Sequence, residues 1–115
     1  MNIIDRYRKS ALDILQLKSS NPILDLNNAL RRLAIFRSII IYNTIVESDG
    51  PKVFQGPFKG MTFFSNPRDI SEGCLVPKII GSYESELHLI IENLKINKPD
   101  VIMNIGSAEG YYSVG

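Results

Sequence analysis

Apolar residues recur at helical spacing from the start of the chain. Ile3, Ile4, Tyr7, Ala11, Leu12, Ile14, Leu15 and Leu17 give a broad apolar face and predict a helix over Asn2–Lys18. Ser19-Ser20-Asn21-Pro22 ends it and opens the next, because Asn21 suits a helix cap and Pro22 the first helical position. A second, longer helix is predicted over Pro22–Glu47. Leu26, Leu30, Leu33, Ile40 and Ile41 mark one side of it, and Arg31, Arg32 and Arg37 a wet side. A solvated face explains those arginines without a ligand; an anion or partner site is the functional alternative. The β-branched runs Ile39-Ile40-Ile41 and Thr44-Ile45-Val46 leave a strand as the competing reading of its end. The two helices are expected to pack as a hairpin.

After the break at Ser48-Asp49-Gly50-Pro51 the pattern changes. Two short strands are predicted near Lys52–Gln55 and Met61–Phe64, joined through Gly56-Pro57-Phe58-Lys59-Gly60 as a β-hairpin. Phe54, Phe58, Phe63 and Phe64 are expected to fill a core against the helices, with a substrate-facing ring as the alternative. Ser65–Gly73 reads as polar and irregular, with a turn at Asn66-Pro67. One or two helical turns follow over Cys74–Ile80, interrupted by Pro77. Next comes an amphipathic helix capped by Ser82, with Glu84 and Glu86 in its first turn and Leu87, Ile90, Ile91 and Leu94 on one face. Asn97-Lys98-Pro99 stops it.

The last sixteen residues, D-V-I-M-N-I-G-S-A-E-G-Y-Y-S-V-G, carry the functional reading. The apolar run Val101-Ile102-Met103 is predicted to be a strand buried on both faces, ending at Asn104. Gly106 and Gly110 then mark a turn into a helix, the place where ligands bind in open α/β sheets. The spacing is G-x-x-x-G, which is neither a three-glycine dinucleotide fingerprint nor a phosphate loop. An ordinary strand-to-helix turn is the plain alternative.

Val101–Gly115, with NIGSAEGYYSVG at its centre, resembles motif I of class I S-adenosylmethionine-dependent methyltransferases, in their FkbM-like branch. GPFKGM (Gly56–Met61) and VPKIIGSYESEL (Val76–Leu87) extend the resemblance over roughly the second half of the chain. The resemblance implies an α/β fold: an N-terminal helical hairpin and a β-hairpin leading into the first strand–loop–helix of a Rossmann-like domain. It implies S-adenosylmethionine as cofactor, held by Asn104, Gly106, Ser107, Ala108, Glu109, Gly110 and Tyr111, with Tyr83 and Glu84 close by. Asn104 stands where such strands usually end in an acid, so the charge that would pair with the cofactor's ammonium is missing. Amides of Ser107–Tyr111 at a helix start are expected to meet the methionine carboxylate. Tyr111 and Tyr112 are expected to divide their roles, one packing and one facing the pocket. Glu84 and Glu109 each have a second reading as acids that answer a helix dipole.

Composition adds bounds. The chain has 115 residues, 44% hydrophobic and 22% charged, with a formal net charge of +1, so neither nucleic acid nor a membrane surface is expected as a partner. A lone cysteine, Cys74, excludes an intrachain disulfide and suits a cytoplasmic location. The lone histidine, His88, has no ligand set around it, so no metal is expected. The regions are read as 1–50 helical, 51–80 hairpin and connector, and 81–115 the opening of a cofactor domain. The expected function is O-methylation of a small-molecule, sugar or lipid-like acceptor by a longer enzyme of which this is the N-terminal part. The catalytic base is not assigned, and the 115 residues alone are expected to be inactive. The rival is a non-enzymatic α+β interaction module whose glycine loop is incidental.

Overall fold

The computed structural model describes residues 2–17, 19–64, 74–108 and 110–115. Helix α1 spans Ile3–Gln16, and the Asn2 side chain caps it by accepting from the Asp5 amide at 2.8 Å. Helix α2 runs Pro22–Asp49, with Pro22 in its first turn and Asn21 Oδ1 accepting from the Leu24 amide at 3.1 Å. The β-branched residues at its end remain helical. Tertiary burial of Ile39 and Tyr42 outweighs their modest helix propensity. At 28 residues, α2 is about 42 Å long at the standard rise. Helix α1 packs along it as a hairpin.

The core lies at the far end of that hairpin. Tyr42 of α2, Val53, Phe58 and Phe63 of the following loop, Leu75 and Ile79 of α3 (Leu75–Ile80), and Tyr111 of α5 (Tyr111–Val114) form one buried cluster. The Tyr42 hydroxyl donates to the Phe63 carbonyl at 3.0 Å, so its polar end is satisfied inside the core. A 3-10 turn, Ser85–Leu87, and helix α4, His88–Asn97, complete the order. The hairpin projects from this core as an arm. The chain extends 57 × 32 × 19 Å with a radius of gyration of 17.4 Å, against about 13 Å for a compact chain of this length.

The expected α/β architecture is not what forms. Every regular element among the described residues is helical, and their only β pairing is an isolated bridge between Lys52 and Thr62. The predicted β-hairpin is a looped segment instead. Val53 donates to the Met61 carbonyl at 2.9 Å and Phe63 to that of Pro51 at 2.8 Å, but the next amides turn elsewhere. Phe54 and Gln55 donate to the Ile79 and Ile80 carbonyls at the end of α3, which takes the first predicted strand out of any ladder. Phe58 and Phe63 are core as expected, whereas Phe54 and Phe64 are exposed.

The predicted strand at Val101–Met103 is also overturned. It is irregular and open to solvent, with Val101 and Met103 about four-fifths exposed. An apolar run becomes a strand only beside a hydrogen-bonded neighbour, and no backbone hydrogen bond among the described residues joins 101–103 to another segment. Pro77 does not interrupt α3, because it sits in the first helical turn, where no intrahelical donor is needed. Ser82 caps nothing. The chain enters α4 through Glu84, which adopts a left-handed conformation at φ 45°, and the 3-10 turn. The predicted polar stretch Ser65–Gly73 lies outside the described residues, as does Lys18.

Candidate functional site

Two segments separated in sequence, 78–84 and 104–112, meet at one cavity of about 210 Å³. Lys78 comes from α3, Tyr83 and Glu84 from the turn after it, and Asn104, Gly106, Ser107 and Ala108 from the bend before α5, with Tyr111 and Tyr112 closing the far side. Of the described residues that the resemblance assigns to the cofactor, only Gly110 is missing from this wall. Gly110 sits just behind it as the turn residue before α5, at φ 87°. Glu109 lies outside the described residues.

The bend is set by backbone geometry. Gly106 and Gly110 adopt positive φ, and so does Ala108 at φ 46°. A left-handed conformation costs an L-residue with a Cβ roughly 1–2 kcal/mol. Glu84 carries the same strain on the opposite wall. Strained non-glycine residues that persist in a fold tend to gather at functional sites. The Gly110 amide closes the turn onto the Ser107 carbonyl at 2.8 Å, and Asn104 Nδ2 donates to Ser113 Oγ at 2.9 Å, tying the start of the bend to α5. An acid at position 104 could not donate there, so the amide has a local use of its own.

Tyr111 and Tyr112 both line the cavity, but they differ in burial. Tyr111 is buried, edge-on to Phe58, Phe63 and Tyr83, with its hydroxyl donating to the Lys78 carbonyl at 3.1 Å. Tyr112 is half-buried, and its hydroxyl donates to Glu84 Oε2 at 2.5 Å, joining the two walls. On the neighbouring side His88 Nε2 lies 3.2 Å from the Tyr83 carbonyl. The imidazole thus steadies the Tyr83–Glu84 turn from behind and does not face the cavity.

Lys78 escaped the sequence reading. It is nine-tenths buried, with its ammonium 4.5 Å above the Tyr83 ring and 5.7 Å from that of Tyr111. The only hint in the sequence is its register, one residue before Ile79 and three after Leu75 on a short helix. Lys78 also changes the electrostatic picture. With four residues, α5 carries little macrodipole, so the positive charge at this cavity comes from a side chain and not from a helix start.

Burial pushes the Tyr83 phenol up to about 12, helped by the Glu84 carboxylate beside it, and burial followed by the same carboxylate raises Tyr112 as well. Burial raises Tyr111 too. All three are therefore hydroxyl donors at neutral pH. Their folded values lie above the ordinary value of about 10, so the native state holds these protons more tightly than the unfolded chain. That stabilisation is fully present below about pH 10 and is lost as pH rises through about 12. The urea midpoint is expected to fall across that window, and Glu84→Gln to narrow the fall by removing the carboxylate. A midpoint flat across the window would contradict the arrangement.

Among the described residues no three His, Cys, Asp or Glu side chains gather as a metal site needs, and no helix is long and apolar enough to cross a membrane. No protein-family model matches the chain, and neither does any curated protein or any solved structure.

Proposed function

We propose that the cavity binds the amino-acid end of S-adenosylmethionine, and that the chain is the cofactor-binding part of a cytoplasmic O-methyltransferase acting on a small-molecule, sugar or lipid-like acceptor. The observation that carries this reading is the convergence of the Tyr83–Glu84 turn and the Asn104–Ala108 bend on one cavity, with opposite charges on its walls. A zwitterion with an added sulfonium is the ligand that such a wall suits. Lys78 meets the carboxylate, Glu84 the ammonium or a ribose hydroxyl, and the faces of Tyr83 and Tyr112 a cationic sulfur. At about 210 Å³ the cavity falls below the roughly 300–1,000 Å³ of a complete ligand site, so it takes one end of the cofactor. Methyl transfer asks mainly for alignment of nucleophile and methyl group, since the sulfonium is already a strong leaving group.

Titration of the chain with S-adenosylhomocysteine, followed by amide chemical shifts, tests the proposal. Saturable shifts at Gly106, Ser107, Ala108 and Tyr112 are expected at high-micromolar to millimolar ligand. Methionine alone should reproduce more of them than adenosine alone, and Lys78→Met should weaken binding by about tenfold or more, the loss of one charge-assisted contact. No shifts at millimolar ligand would remove the cofactor reading. The rival non-enzymatic interaction module would then gain, favoured by the arm that projects from the core.

A further inference from the structure

We propose that the chain self-associates through the exposed face of α2, two copies pairing antiparallel. Ile23, Leu26, Leu30, Leu33 and Ile40 follow one another at spacings of three and four residues, with Arg37 in the single polar place of the series. This is the heptad seam of a coiled coil. All five apolar side chains are exposed, from 41% at Ile40 to 74% at Ile23, while the buried residues Ala29, Ile35, Ile39 and Tyr42 of the same helix point to α1 and the core. The residues beside the seam, Asn27, Ala34 and Ile41 on one flank and Ala29, Phe36 and Asn43 on the other, carry no charge that would repel a second copy. At on the order of 100 Å² per Leu or Ile, pairing two seams removes about 1,000 Å² from water before flanking contacts are counted. That stands at the lower bound of a biological interface, roughly 1,000 Å².

Arg37 chooses the direction. Parallel pairing would set Arg37 against its own copy across an apolar seam, two like charges with no acid between them. Antiparallel pairing layers Leu30 with Leu33, Ile23 with Ile40, and Arg37 with Leu26, which keeps the two arginines at opposite ends of the seam. It also sends the two cores, each at the carboxyl end of its α2, to opposite ends of the paired arms.

Light scattering on the eluting protein reads the outcome. At about 100 µM, well above the micromolar affinity expected of an interface this small, the mass should be twice 12.9 kDa. Leu30→Glu with Leu33→Glu should return it to 12.9 kDa with helical circular dichroism unchanged, since both side chains are exposed. In a Cys74→Ser background, Ile23→Cys and Ile40→Cys proteins should form a mixed disulfide when combined, and neither should link to itself. Any of three results overturns the proposal: a monomer at that concentration, which would leave the seam to another segment or a different protein; a dimer indifferent to the double glutamate change; or self-linking by either cysteine variant.

Discussion

Gly81→Ala is expected to destabilise the chain by more than about 3 kcal/mol, a large share of the roughly 5–15 kcal/mol that holds an ordinary domain folded. Gly81 ends α3 in the left-handed conformation, φ 83° and ψ 30°. Its amide donates to the Pro77 carbonyl at 2.9 Å and the Lys78 carbonyl at 3.2 Å, and the Ser82 amide donates to the Pro77 carbonyl at 2.9 Å, the bonds of a Schellman end. A Cβ at this position would run into the Gln55 backbone carbonyl. Gln55 has no room to yield, because its own amide donates to the Ile80 carbonyl at 3.2 Å and that of Phe54 to Ile79 at 2.9 Å. Displacing this segment would break the contacts joining the looped 51–64 stretch to α3. Gly60→Ala is the control: it has φ 87° but no atom within 4 Å of the added methyl, so it should cost only the roughly 1–2 kcal/mol of left-handed strain. Urea denaturation of the two variants measures the difference, and equal losses would mean that the backbone crossing is not tight.

That crossing bears on what the sequence could reveal. GPFKGM and VPKIIGSYESEL stand out in the sequence as two glycine-bearing stretches, and the structure brings their glycines together. Gly56 would place a Cβ 2.5 Å from the Gly81 carbonyl oxygen. Helices α1 and α2 were legible because their signals are local: a cap at Asn21, Pro22 in the first turn, and an apolar repeat long enough to fix the period. The strands were not, because a strand is defined by its partner. Val101-Ile102-Met103 has the composition of a buried strand and the exposure of a solvent-facing loop. Lys52–Gln55 gives its amides to a helix end that no local pattern announces.

The candidate site divides along the same line. The bend was legible through Gly106 and Gly110, which must adopt positive φ, and Tyr83, Glu84 and Tyr111 entered through the resemblance. Pairings across the fold were not. The Tyr112–Glu84 hydrogen bond spans 28 residues, and the burial of Lys78 depends on aromatic rings from two other elements. A lysine carries no mark in its sequence neighbourhood that tells whether it snorkels to water or lies under a tyrosine.

Tyr111→Ala should be the most damaging single side-chain truncation outside α2, costing about 3–5 kcal/mol, as expected for a large aromatic removed from a core. The reason lies in how little else holds the end of the chain. A helix of four residues has no stability of its own, since its few internal bonds do not offset the cost of nucleation. Tyr111 anchors it by packing edge-on to Phe58 at 5.2 Å, Tyr112 at 5.5 Å, Phe63 at 5.7 Å and Tyr83 at 5.8 Å. Without the ring, α5 should detach and take with it the Asn104–Ser113 bond and the Tyr112 wall of the cavity. Amides of Gly110, Ser113 and Val114 should then exchange at unprotected rates under conditions where those of Ile39 and Ile79 remain slow. Tyr111→Phe separates packing from hydrogen bonding. It keeps the ring contacts and removes one of the two donors to the Lys78 carbonyl, which retains the Gly81 amide at 3.2 Å, for a loss of about 1 kcal/mol. If the alanine variant lost no more than the phenylalanine variant, the ring would not be the anchor, and the cavity would have to owe its shape to the Asn104–Ser113 and Tyr112–Glu84 bonds alone.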